Sequence, residues 1–373
     1  MTSFRLRDPY FTYRHRRPIH ALRICAAVAI TYLIITLLPI PHGSWALVST
    51  VMVMGNLPHI GGVLDKAKQR LLGTVTGVGW GVLATLVPDP PPGLLPAWLL
   101  LGIALATYTT FGKRHAYGGL MFSISLLLVA GDGHQDLHLA LWRGFDVLLG
   151  SCVGLAVTLL LLPQKATDVL RFLLAENLDT MARLYHAHTS ATSASGPDTR
   201  ELLKATSGLL IKQRGLVDAI HSERRLKRRE LDGLISLQRR MLSTIELLLE
   251  SHWNTRSGHE RIDAMTGLRE TQHTLARVLG SLAYQVRTGH PIQVDPVTFD
   301  LQRYADQAQG GRTEDGRLLF SPSGYLWLNR ELARLTQALT EDLGRLRRLP
   351  SRRLRRRAGR HTLITPAKEK RRP

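Results

Sequence analysis

Arg143 and Asp146 stand three residues apart inside a segment, Leu137 to Leu162, that carries no other Lys, Arg, Asp or Glu. At helical spacing they share one face. A guanidinium beside a titratable carboxyl suits anion binding or proton coupling, and the same two groups can also form a self-neutralising ion pair; the spacing alone leaves both open. Arg70 precedes Gly73 at the start of another uncharged stretch. It is placed to draw an anion toward a helix N-terminus or to anchor that helix at lipid headgroups. Trp45 follows the break Pro39-Ile40-Pro41-His42-Gly43 and serves either as an interfacial aromatic or as a substrate wall. Arg23 lies one turn inside the first apolar stretch, where snorkelling is expected.

Other chemistries fall away. The chain has only two cysteines, Cys25 and Cys152, far apart in apolar runs, which excludes a disulfide framework or a thiolate cluster. It has no Walker loop, dinucleotide glycine fingerprint, HExxH or nucleophile elbow. ATP-driven pumping by the chain itself and hydrolysis are therefore not expected, and neither an enzyme nor a cofactor is read from it. The Asp132–His138 loop is the one metal-like cluster, and with no cysteine or second cluster beside it no metal site is assigned. His186 and His188 read as surface residues.

The elements that hold these residues follow from the charge distribution. The chain has 373 residues and a formal charge of +20. Residues 1–163 carry 12 basic and 6 acidic side chains, whereas 164–373 carry 37 and 23. So sparse a first half is written for lipid. Between Ile24 and Leu64 there is no charge at all, too long a run for one helix across roughly 30 Å of hydrocarbon. Breakers divide the first half into six expected spans near 19–38, 44–57, 69–88, 94–111, 116–130 and 142–163. The segments 1–18, 58–68, 112–115 and everything after Lys165 are basic, and the loops 39–43, 89–93 and 131–141 hold no Lys or Arg. This is the positive-inside pattern with both termini cytoplasmic.

Span three carries Gly73 and Gly77, and span six carries Gly150 and Gly154, each a small-xxx-small face for close helix approach. Two ordinary tight contacts and a three-plus-three inverted repeat both fit this likeness. From 164 onward the apolar spacing is amphipathic, as at Leu170, Leu173, Leu174, Leu178, Met181, Leu184 and Tyr185. The fold class is therefore all-α: a basic N-tail (1–18), a six-helix membrane domain (19–163), a cytoplasmic helical domain (164–349) and a basic tail (350–373). From 345 the tail carries 13 basic residues against one acidic, which fits anionic headgroups. No nucleic-acid fold accompanies it, and no nucleic-acid partner is expected.

Ser44-Trp45-Ala46-Leu47-Val48-Ser49, Arg70-Leu71-Leu72-Gly73-Thr74-x-x-Gly77 and Leu141-Trp142-Arg143-x-x-Asp146-Val147-Leu148-Leu149-Gly150-Ser151 together resemble the fusaric-acid-resistance family of bacterial inner-membrane proteins. That family includes the aromatic acid exporters and is similar to the plant aluminium-activated malate channels. Gln213-Arg214-Gly215-Leu216, Leu268-Arg269-Glu270-Thr271-Gln272-His273 and Gly324-Tyr325-Leu326-Trp327-Leu328-Asn329 extend the resemblance to the half-size members, over roughly residues 10–345. The resemblance implies secondary export of organic, including aromatic, carboxylate anions. Arg70, Arg143 and Asp146 are the positions that match the family pattern. It also implies a homo-oligomer in which two copies make one pathway, and a periplasmic adaptor as partner. A passive anion channel and a non-transporting scaffold acting through the helical domain are the alternatives.

Overall fold

In the computed structural model the described residues are 9–55, 58–85, 91, 93–112, 115–130, 137–190, 199–223, 226–251, 260, 262–305 and 322–346, and every regular element among them is a helix. The chain divides into two compact units: residues 1–166 with Asp218–Glu223, and residues 167–217 with 224–373. The acidic part of the 131–136 loop and the basic tail lie outside the described residues.

The first unit comprises α1 (Pro9–Arg14), α2 (Arg16–Leu37), α3 (Ser44–Met54), α4 (Ile60–Thr85), α5 (Leu94–Thr110), α6 (Ala116–Ala130) and α7 (Leu137–Leu160). Two segments, α2 and Leu141–Leu160 of α7, are long and apolar enough to cross a membrane; α3, α5 and α6 are shorter apolar helices. The main departure from expectation is α4, which begins at Ile60 instead of 69 and so takes Asp65, Lys66 and Lys68 into the helix. No Pro interrupts 60–85, and long charged side chains are good helix formers, so charge alone does not end a helix. Similarly α7 starts at Leu137 rather than 142.

Burial in this unit runs against the pattern of a soluble domain. Leu37, Leu72, Leu100 and Leu160 are 65–76% exposed, while Thr31, Ser49, Thr50, Arg70, Asp146 and Ser151 are buried. An apolar exterior around a polar interior is what a hydrocarbon solvent selects. Helices pair closely within it: α3 packs on α7, α4 on α6 and α7, and α5 on α6.

Arg23 does not snorkel. It is 1% exposed, and its guanidinium donates to the carbonyls of Leu161 (2.9 Å), Pro58 (2.6 Å) and Leu162. These are the free carbonyls at the C-terminus of α7 and just before α4, where no helical N–H is left to meet them. Leu162 itself turns with φ +48°. Arg23→Met is expected to cost about 2–4 kcal/mol by leaving those carbonyls buried and unbonded. A thermal melt of detergent-solubilised protein should fall by roughly 5–10 °C, and an unchanged melt would show the carbonyls satisfied in another way.

Asp218–Glu223, although it follows residues 167–217 of the second unit, is part of the first. The Glu223 carboxylate accepts from the N–H of Ala166 (2.7 Å) and of Gly61 (3.2 Å), so one acid caps two helix N-termini. A Cβ on Gly61 would lie 2.0 Å from the Ala219 carbonyl oxygen, which is why that position has no side chain.

The second unit contains α8 (Ala166–Thr189), α9 (Thr199–Arg214), α10 (Val217–Ser222, shared with the first), α11 (Arg228–Glu250), α12 (Leu268–Thr288), α13 (Leu301–Ala305) and α14 (Pro322–Arg345). The stripe from Leu170 to Tyr185 is buried as its spacing predicts. The apolar spacing over 202–220 is carried by two helices, α9 and α10, broken at Gly215 and Leu216. The core is also more polar than the stripes suggest. Gln238 exchanges hydrogen bonds with Gln213 (2.8 and 3.0 Å) and accepts from Asn177 (2.9 Å). Gln272 donates to Tyr325 (2.8 Å) and Asn329 (3.2 Å). Burial pushes the Tyr325 phenol up to about 12 and Tyr185 well above its ordinary value, so both stay neutral donors. His188, read from the sequence as a surface residue, is 1% exposed and lies 3.2 Å from the Tyr325 hydroxyl; His186 is exposed.

Candidate functional site

The polar interior of the first unit is organised along α3. Ser49 and Trp45 are one turn apart on that helix and so share a face. Ser49 Oγ donates to the Val147 carbonyl of α7 (3.0 Å) and receives Arg70 Nε from α4 (2.8 Å). One η-nitrogen of Arg70 reaches the Tyr117 hydroxyl (3.3 Å) and the sulfurs of Met121 (2.9 Å) and Met52 (3.3 Å). Arg70 is 4% exposed, and among the described residues no carboxylate lies within ion-pair distance of it. Its partners are hydroxyls and thioethers, which orient the guanidinium without neutralising it. The charge of this buried cation thus has no counter-ion among the described residues, a costly arrangement.

Close packing makes the arrangement possible. A Cβ on Gly150 would stand 2.2 Å from the Ala46 carbonyl oxygen, and one on Gly73 2.4 Å from that of Gly118. Gly77 faces the Phe122 carbonyl at 2.4 Å; Gly154, with Met54 at 3.3 Å and the Thr50 carbonyl at 3.5 Å, has slightly more room. These glycines let α7 and α4 approach α3 and α6 at backbone distance.

Arg143 and Asp146 share α7 but form no ion pair. The half-buried Arg143 donates to the Leu128 carbonyl of α6, and its guanidinium carbon lies 5.9 Å from the centre of the Trp45 ring. Asp146 is fully buried, and both carboxyl oxygens lack a hydrogen-bond partner among the described residues. The guanidinium is engaged instead by that carbonyl and that ring. Trp45 is half-buried, with the Arg143 guanidinium near its ring.

The structure therefore gathers Arg70 with Ser49, and Arg143 with Trp45, along one helix, and sets Asp146 beside the Val147 that Ser49 engages. Sequence reasoning missed Ser49, Tyr117 and Met121. Ser49 falls in the Ser44–Ser49 run, but nothing in its own spacing distinguishes it from the neighbouring Thr50. Its role depends on α4 and α7 meeting α3, which no local pattern states.

An apolar shell, a polar core and a buried cation define an α-helical membrane protein. Comparison with known proteins gives its kin. Residues 28–157 match the model of the fusaric acid resistance protein-like family. The chain is 30% identical over 334 residues to inner membrane protein YeeA of Escherichia coli (strain K12), covering 88% of this chain and 94% of that protein. The chain belongs to the fusaric acid resistance protein-like family. It is also similar to aluminum-activated malate transporter 2 of Arabidopsis thaliana, 28% identical over 184 residues, which are 45% of this chain and 36% of that one. Inner membrane protein YccS of Escherichia coli (strain K12) is 25% identical over 145 residues, 39% of this chain and 20% of that one.

Proposed function

We propose that the first unit crosses a bacterial inner membrane six times, with both termini cytoplasmic, and moves organic carboxylate anions outward. The observation that carries this reading is Arg70, buried with its charge uncompensated between α3, α4 and α6. In this reading the anion's carboxylate meets Arg70, Trp45 and Arg143 line its path, and Asp146 exchanges a proton as the path changes state. The name of the malate transporter relative points to the same substrate chemistry. The apolar surroundings of the site favour a carboxylate on an apolar or aromatic body. The second unit, residues 164–349 in this reading, is cytoplasmic, and the basic tail lies along the inner leaflet.

Flux of labelled benzoates and dicarboxylates into proteoliposomes under an imposed pH gradient tests this. Arg143→Ala is expected to raise KM about tenfold with kcat little changed, the signature of lost ground-state binding. Flux that ignores the gradient would establish a passive channel instead. Absence of flux for every anion, from protein that is folded and monodisperse, would overturn transport.

A further inference from the structure

The helix pairing of the first unit is duplicated. Let α2, α3 and α4 correspond to α5, α6 and α7. Then α3 on α7 corresponds to α6 on α4, α2 on α3 to α5 on α6, α2 on α7 to α5 on α4, and α3 on α4 to α6 on α7. The remaining close pair, α4 on α7, corresponds to itself. The register agrees residue by residue. The Cβ position of Gly150 meets the Ala46 carbonyl oxygen (2.2 Å) and the Ser49 Cβ (2.8 Å), and that of Gly73 meets the Gly118 carbonyl oxygen (2.4 Å) and the Met121 Cβ (2.8 Å). One turn on, Gly154 faces the Thr50 carbonyl and Gly77 the Phe122 carbonyl. Ser49 and Met121 are thus counterparts, and Arg70 bonds to both. The small-residue faces noticed in the sequence take equivalent places in this pairing.

In this register Asp146 is the counterpart of Gln69. Gln69 has partners: its side-chain oxygen accepts the Gly118 N–H (3.2 Å) in the first turn of α6, and its amide donates to Asp65 (2.9 Å). Asp146, aimed by the same register at the first turn of α3, is fully buried with both oxygens unpartnered among the described residues. There the Ala46 N–H bonds to the Gly43 carbonyl (3.0 Å), as the Gly118 N–H also does to that of His115 (2.9 Å), and the Trp45 N–H bonds to that of His42 (3.1 Å). An ionised carboxylate without hydrogen bonds in a protein interior costs several kcal/mol, so its charge and its surroundings must change together. A helix N-terminus offers the N–H groups and the dipole that a carboxylate needs.

We infer that the first unit is a duplicated three-helix repeat in which Asp146 is the titratable counterpart of the neutral cap Gln69 and sets the position of the α3 N-terminal turn. This deepens the transport reading, since α3 carries Trp45 and the Ser49 that holds Arg70. Neutral Asp146 leaves the turn as it stands here; ionised Asp146 draws it inward. The other charged or titratable groups on the elements around α7 are His42 before α3, His138, Arg143 and Cys152 on α7, Arg16, Arg17, His20, Arg23, Cys25 and Tyr32 on α2, Asp65, Lys66, Lys68 and Arg70 on α4, and Tyr117 on α6; α3 itself carries none. Only Asp146 has a counterpart that already caps a helix in the other repeat.

The test uses the full chain with Cys25 and Cys152 replaced by Ala and a single reporter cysteine labelled with a neutral maleimide. For Ser44→Cys, at the start of α3, the labelling rate with Asp146 divided by that with Asp146→Gln is expected to fall at least about threefold from pH 5 to pH 8. For Ala116→Cys, at the equivalent start of α6, the same ratio is expected to stay flat, and Gln69→Glu should make it respond. A flat Ser44→Cys ratio, or an Ala116→Cys response with Gln69 intact, overturns the inference. Should Gln69→Glu not fold, Asp146→Asn in place of Asp146→Gln repeats the deciding comparison. The labelling needs no substrate. A pH response without flux would therefore sink the transport reading and leave this one standing, and gradient-driven flux with a flat ratio would do the reverse.

Discussion

Arg70→Met is expected to lower kcat/KM for anion flux by a hundredfold or more while leaving the protein as stable as before, or more so. A charge-assisted contact to a desolvated carboxylate contributes about 2–5 kcal/mol, or roughly 30- to several-thousand-fold. The stability half of the prediction follows from the same geometry. Arg70 is buried and meets Ser49, Tyr117, Met52 and Met121, but no carboxylate among the described residues. Its desolvation is therefore a standing cost, which an apolar side chain of similar length removes. Arg70→Lys keeps the charge but cannot reach Ser49 and Tyr117 together, and flux should fall about tenfold. Proteoliposome flux and thermal melts on the same preparations decide it. Wild-type flux in Arg70→Met would remove Arg70 from the path, and a collapsed melt would make it a structural residue.

The second large effect lies in the glycines. Gly77→Ala is expected to destabilise the first unit by about 3 kcal/mol, because its Cβ would stand 2.4 Å from the Phe122 carbonyl oxygen and α4 must move off α6. Gly150→Ala meets the Ala46 carbonyl at 2.2 Å and should do the same to α7 and α3. Each helix supplies its own control. Gly79 on α4 and Gly144 on α7 have nothing within 4 Å, so Ala there should be neutral or slightly stabilising. Thermal melts in detergent should fall by about 10 °C for the first pair and hold for the second. Equal behaviour of Gly77→Ala and Gly79→Ala would show that helix contact is not what the glycine serves.

Much of this was legible before any coordinates. The drop to 18 charges in the first 163 residues separates a part made for lipid from a part made for water, because a charge in hydrocarbon is costly wherever it falls. Glycines four apart announce close helix contacts, since only hydrogen in place of a side chain allows them. Arg70, Arg143 and Asp146 stand out as candidates because they are ionisable in apolar surroundings.

What the sequence alone could not settle is which groups meet. Arg143 and Asp146 stand at ion-pair spacing, yet Leu128 and Trp45, brought by α6 and α3, take the guanidinium and leave the carboxyl alone. Arg23 resembled a snorkelling residue until the ends of α7 and the residues before α4 surrounded it. Local sequence determines charge, periodicity and the permitted distance between helices, because these depend on each residue's own chemistry. Partnership, and the correspondence of Asp146 with Gln69, depends on which helices are neighbours in space, and only the tertiary fold decides that.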